Sequence, residues 1–161
     1  METTRHFTAT TYLVNDGATA LHLHPRLGIR IPPGGHVDRD ELPHETAIRE
    51  VREETGFEID LLGDAPVIDA PNGRALPDPR YQLCYDVDVG PEGVYHQHID
   101  QVYFARVSHR RIDPAGADEL GPDAWQWYTP EELAADAGSE TLDADTIQIA
   151  TEAIAVAETV E

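Results

Sequence analysis

The stretch Gly34–Phe57, GGHVDRDELPHETAIREVREETGF, most constrains what this chain can fold into. A Gly-Gly turn leads into a short helix carrying Arg49, Glu50, Glu53 and Glu54. On a 3.6-residue period these three glutamates share one face, while Ala47, Ile48, Val51 and Thr55 point elsewhere. Like charges a turn apart repel one another and destabilise a helix. Such a face needs positive charge beside it. A hard divalent cation such as Mg²⁺, which takes oxygen ligands, meets that need.

The flanking sequence supplies boundaries for the helix. Pro43 suits the first turn, where no backbone donor is lost, and Asp40 and Glu41 lie near the positive end of the helix dipole. Gly56 stands where a left-handed residue ends a helix, and Phe57–Leu62 then reads as a strand. Upstream, Phe7–Val14 is rich in β-branched and aromatic residues, Asn15-Asp16-Gly17 is strong turn chemistry, and Ala18–His24 is its hairpin partner. Pro32-Pro33-Gly34-Gly35 fixes the approach to the helix and allows a close backbone contact with a ligand.

Downstream, residues 63–80 form a long Pro- and Gly-punctuated loop, a type of segment that often sets function in a compact domain. Tyr81–Val89 and His96–Val107 read as strands, the second apolar enough on both faces to be central. Ser108–Asp123 is polar and turn-rich, and Ala124–Tyr128 reads as the last strand. Thr129-Pro130-Glu131-Glu132 has the form of a capped helix start. The apolar spacing of Ile147, Ala150, Ile154 and Ala157 predicts a C-terminal helix at about 142–160 packed on the core.

Read from Gly35, the spacing is Gly, five residues, Glu41, seven residues, then Arg49-Glu50-Val51-x-Glu53-Glu54-x-Gly56-Phe57. This resembles the Nudix box of the Nudix (MutT-type) hydrolases, with every specified position filled. The later Trp-x-Trp-Tyr-Thr-Pro-Glu-Glu-Leu run also resembles a stretch near the end of such domains. The resemblance implies an α+β fold, an α/β/α sandwich with a mixed central β-sheet flanked by helices. It also implies hydrolysis of a nucleoside diphosphate linked to another moiety, with water attacking phosphorus. Glu50, Glu53 and Glu54 would bind Mg²⁺ or Mn²⁺ together with the carbonyl of Gly34. Arg49 and Glu41 match positions that form an orienting ion pair. For the general base, relatives use either a box glutamate or an acid on a distant loop, and Glu53 is the choice here.

A second constellation stands outside the box. His96, His98 and Asp100 alternate along one predicted strand and so face one way, as do His22 and His24. Paired histidines on a strand suit a transition metal, and a cupin-like protein is the rival that this raises. Cupins lack a central helix carrying the box. Some Nudix relatives have a similar His-Ile-Asp segment near the cleft, so His98 and Asp100 are candidates to line the substrate site. Arg26 and Arg30, with Arg74 and Arg80, lie on segments expected to border it and could meet phosphate.

Composition bounds the partners and the compartment. At 161 residues a single domain spanning residues 1–161 is expected. No apolar run approaches the roughly 20 residues needed to span a bilayer. The opening METTRHFTAT lacks a leader's apolar core, and a lone Cys84 forms no internal disulfide, so the expected location is cytoplasmic. Acidic residues number 31 against 11 basic, all of them Arg, for a net charge of −20. That surface repels itself in dilute salt, whereas at ~1 M salt the Debye length falls to ~3 Å. The reading is a halophilic protein of a salt-rich cytoplasm, the alternative being an acidic protein from a GC-rich genome that favours Arg over Lys.

Duplex nucleic acid and anionic membranes are excluded as partners, because they demand a basic footprint. A small phosphorylated substrate is the expected partner, since bound metal reverses the local field, and a homodimer is left open. The alternative function is a non-catalytic Nudix-fold sensor that binds a nucleotide or sugar-nucleotide.

Overall fold

Two long strands carry the architecture of the computed structural model, which describes residues 1–159. β1 (Thr4–Asn15) and β6 (Gly93–Arg106) run parallel, in register from Thr4 opposite His96 to Val14 opposite Arg106. β5 (Tyr81–Gly90) pairs antiparallel with the other side of β6. On the free side of β1, two partners divide the edge. β2 (Ala18–Leu23) folds back on its end through a turn whose Asp16 and Gly17 take φ of 44° and 77°, as the Asn-Asp-Gly sequence predicts. Between β2 and the helix come β3 (Arg30–Ile31), which pairs with β2, and β4 (Gly34–His36), which pairs with the first half of β1. With β7 (Trp125–Tyr128) added beside β2, the sheet is mixed and seven-stranded.

The helices cover its two faces. α1 (Pro43–Thr55) packs on the side to which Ala9, Leu13, Tyr103 and Ala105 point, with Ala47 and Val51 meeting them. α3 (Ala144–Thr159) packs on the side of Tyr12, Val14, Val102 and Phe104, burying Ile149, Ala150, Ala153 and Ile154. Strand alternation therefore assigns each face its helix. Leu13, Leu21 and Val51 are fully buried, and burial of such a side chain contributes about 1.5–3 kcal/mol. The short α2 (Pro130–Ala135) is capped by Thr129, whose hydroxyl accepts from the Glu132 N–H at 3.2 Å. None of the described helices is long and apolar enough to cross a membrane.

Three expectations need adjusting. Phe57–Leu62 is not a strand: Phe57 and Ile59 are buried against α1, but only the Leu61–Ala105 bridge and the Leu62 N–H to Phe104 carbonyl bond reach β6. The ladder stays short because this segment joins the edge of β6 only where β5 has ended, with Tyr81 opposite Val102. Gly34-Gly35, read as part of a turn, belongs with His36 to a strand, because the first half of β1 has an edge that β2 leaves open. The C-terminal helix begins at Ala144, and residue 160 of its expected span lies outside the described residues.

Candidate functional site

α1 starts and stops where its sequence says it should. Pro43 is at the first helical position, and the Glu45 carboxylate reaches back to accept the Leu42 N–H at 3.1 Å. At the other end Gly56 takes φ 79°, and its N–H closes on the Arg52 carbonyl at 2.8 Å. Orphan carbonyls at a helix C-terminus need donors. Here they come from a distant loop: Asp113 N–H donates to Thr55 O at 2.9 Å and Gly116 N–H to Glu53 O at 2.9 Å. The helix end thus clamps the 113–116 segment, and with it Glu119, which follows shortly after.

On the sheet side β4 lies close against α1. Gly34 N–H donates to Glu54 Oε2 at 2.9 Å, and any side chain at Gly35 would collide with the Glu50 carboxylate. Glycine at that position permits the approach. Glu50, Glu53 and Glu54 are therefore brought together between β4 and the 113–119 loop. A methyl group at Gly116 would stand 3.0 Å from both Glu53 Cβ and Glu119 Oε1, so Glu119 faces Glu53 across that glycine. Glu119 was missed in the sequence. It is one acid among several in a polar connection, and only the docking of that connection on α1 gives it a role.

Arg49 binds the rim of this group. Its Nε and Nη2 meet Glu41 at 2.7 and 2.8 Å, and its Nη1 meets Glu50 at 3.0 Å and Glu53 at 3.1 Å. The Glu41 carboxyl is thereby held down to about 2, first by the Arg49 fork and also by the Thr46 hydroxyl. The same partners raise Arg49 above its ordinary value. Glu41 and Arg49 form the ion pair expected of them, and the fork orients two of the three box glutamates.

One guanidinium does not offset the carboxylates behind it. Burial, then the charge of Glu50, push Glu54 up to about 8, and its bond from Gly34 only partly opposes this. Glu50 and Glu119 are raised as well, burial being the first cause in each. The chain has thus built a half-buried, oxygen-only, electron-rich recess and left it short of positive charge. The donor set matches a hard divalent cation, not a soft one.

The remaining candidates are placed elsewhere. Asp100 is buried and lies on the α3 face of the sheet, accepting the hydroxyls of Thr8 at 2.9 Å and Thr10 at 2.8 Å. His98 is on that same face, beside His6, His36 and His96. Arg30 places its guanidinium over the Tyr128 ring, 5.9 Å from the centroid, and Arg26 is exposed in the β2–β3 turn. Neither forms an ion pair with the box glutamates among the described residues. His22 packs on Trp125 and His24 accepts the backbone N–H groups of Arg26 and Leu27, so this pair has local structural work. Arg80 is paired with Glu152 at 2.7 Å on α3.

Comparison with known proteins gives a consistent result. The NUDIX domain model matches residues 5–148. A NUDIX-family hydrolase from Clostridium perfringens is similar over 95% of this chain and 98% of its own, with 30% identity and a TM-score of 0.79. A MutT protein from Methanosarcina mazei Go1 shares the fold at TM-score 0.61 and 19% identity, covering 99% of both chains. A probable DHNTP pyrophosphohydrolase of Lactococcus lactis subsp. cremoris is 32% identical over 95 residues, which is 57% of this chain. The match spans about half (48%) of that curated relative's length.

Proposed function

Because this chain belongs to the Nudix family of hydrolases, we propose that it cleaves a phosphoanhydride bond in a nucleoside diphosphate linked to another moiety, using Mg²⁺ or Mn²⁺ held by Glu50, Glu53 and Glu54. The observation that carries this is the convergence of those carboxylates, joined by Glu119, in a recess where burial and the charge of Glu50 push Glu54 up to about 8. We assign the Gly34 carbonyl to the same ion, a reading supported by the Gly34 N–H bond to Glu54. A bound ion would neutralise phosphate charge and act as a Lewis acid for the attack of water.

The residues of the chain divide the remaining work. Glu53 has the most exposed side chain of the three, and its carboxylate is hydrogen-bonded to Arg49 alone among the described residues, so it is the group we assign to take the proton from water. Glu119, facing it across Gly116, is the other carboxylate in position. Arg49 and Glu41 act as positioning residues, since the fork fixes Glu50 and Glu53 relative to one another. Arg26, exposed in the β2–β3 turn, is a candidate to meet substrate phosphate, whereas Asp100 is occupied by two threonines.

Nothing in the recess favours the sensor reading, which needs damaged box carboxylates. The test is product release from a panel of nucleoside triphosphates, dinucleoside polyphosphates, nucleotide sugars and DHNTP, with Mg²⁺ at high salt. Cleavage of a member at a phosphoanhydride bond supports the assignment. Saturable binding without turnover across the panel would move the protein to the sensor class.

The ionisation of Glu54 has a consequence for stability. Its folded-state value of about 8 exceeds the ordinary 4.5, so between those limits the metal-free native state holds a proton that the unfolded state has lost. Stability contributed this way is present below about 4.5 and declines as pH rises to about 8. Glu41 acts oppositely, but its window lies between 4.5 and about 2, outside this range. Burial holds His22 down to about 4 and lowers His24, His36 and His98, which opposes this trend below about 6.5, so the thermal midpoint in EDTA should fall as pH rises from about 6.5 to about 8. Saturating Mg²⁺ and Glu54→Gln should each flatten that slope. An equal slope under all three conditions would contradict the charge-starved recess.

A further inference from the structure

On the face of the sheet opposite α1, the covering helix stops short. The first turn of α3 ends its contact where Asp145 Oδ2 accepts the Tyr85 hydroxyl at 2.6 Å. Beyond that point the pairing of β1, β4 and β6 sets His6 beside His98, Thr4 beside His96, and His36 beside Thr8. The chain has 8 histidines, and His6, His36, His96 and His98 gather on this bare patch. Ring centroids are 4.6 Å apart for His6–His96, 4.8 Å for His36–His98, 5.2 Å for His96–His98 and 5.4 Å for His6–His36. No role in the carboxylate recess accounts for them.

Their nitrogens are placed for a shared ligand. One ligand atom each of His6, His96 and His98 lies within 4.8 Å of the others, and His36 Nε2 is 3.3 Å from His98 Nε2. A tetrahedral ion with bonds of about 2.0–2.1 Å sets neighbouring nitrogens about 3.4 Å apart. The second shell is also built. Thr4 Oγ1 lies 3.3 Å from the Tyr95 carbonyl, to which it donates, and 2.7 Å from His96 Nδ1. A hydroxyl that donates to the carbonyl can accept from the ring, an arrangement that leaves His96 Nε2 for a ligand.

We propose that His6, His96 and His98 form a site for a borderline divalent transition ion of the Zn²⁺ or Co²⁺ class, with His36 at its edge against His98. An all-imidazole set selects such ions over Mg²⁺, and the net charge of −20 raises the local concentration of any cation. The two faces of the sheet thus carry two chemistries, oxygen donors beside α1 and nitrogen donors on the other face.

Co²⁺ titration of the full chain, followed by visible absorption, tests this. The triple variant Glu50→Gln/Glu53→Gln/Glu54→Gln removes the carboxylate seat and should still bind one Co²⁺ with the intense bands of a four-coordinate site. His6→Ala/His96→Ala should weaken that binding more than about tenfold, and Thr4→Val by roughly tenfold through the lost second shell. In the unsubstituted protein, imidazole ¹⁵N signals of the same histidines should shift with Zn²⁺ and not with inorganic pyrophosphate. Loss of the bands in the carboxylate variant, their survival without His6 and His96, or a response to pyrophosphate instead of Zn²⁺ would each overturn the site.

Discussion

Glu54→Gln should lower turnover by at least roughly tenfold, and Glu53→Gln by as much, with both proteins still folded. Tenfold corresponds to about 1.4 kcal/mol of transition-state stabilisation, a modest requirement for a group that holds charge at a phosphoryl centre. The fold should survive because a glutamine oxygen can still accept the Gly34 N–H, now at 2.9 Å from Glu54. Stability without metal should even rise for Glu54→Gln, since burial and its neighbours disfavour the carboxylate there. Loss of activity joined to unchanged or greater stability separates a working residue from a structural one. Near-normal turnover in both variants would sink the assignment of the recess.

Gly56→Ala is expected to have the largest effect on stability. Gly56 has φ 79°, and a non-glycine residue in that region costs about 1–2 kcal/mol. A Cβ there would also run into the Asp113 carbonyl oxygen. Backbone cannot yield as a flexible side chain does, so the total loss should be about 2–4 kcal/mol in urea unfolding. The displaced segment is the one that donates to Thr55 and Glu53 and carries Glu119, so turnover should fall along with stability. A variant as stable as the parent would show that the 113–116 segment is not clamped on α1.

What the sequence made legible was what local chemistry decides. α1 could be read because Pro43, the spaced glutamates and Gly56 each have a local reason to stand where they do. The β1–β2 turn followed from Asn15-Asp16-Gly17 in the same way. β4 could not be read, because Gly34-Gly35-His36 has little strand preference and pairs only where β1 offers an open edge. Phe57–Leu62 misled for the converse reason: its alternation reports burial, not a ladder partner. Glu119 and the meeting of His6 and His36 with His98 depend on contacts between segments far apart in the chain. The parallel register that puts His6 opposite His98 joins residues 92 positions apart, a distance at which no local pattern speaks.

The claim that the box carboxylates seat a hard divalent ion is tested most directly by anomalous diffraction from a crystal soaked in Mn²⁺. The account predicts a peak bounded by Glu50, Glu53, Glu54 and the Gly34 backbone, with Glu119 on its open side. A crystal that takes up Mn²⁺ elsewhere, with Arg49 or solvent filling the recess, would contradict it.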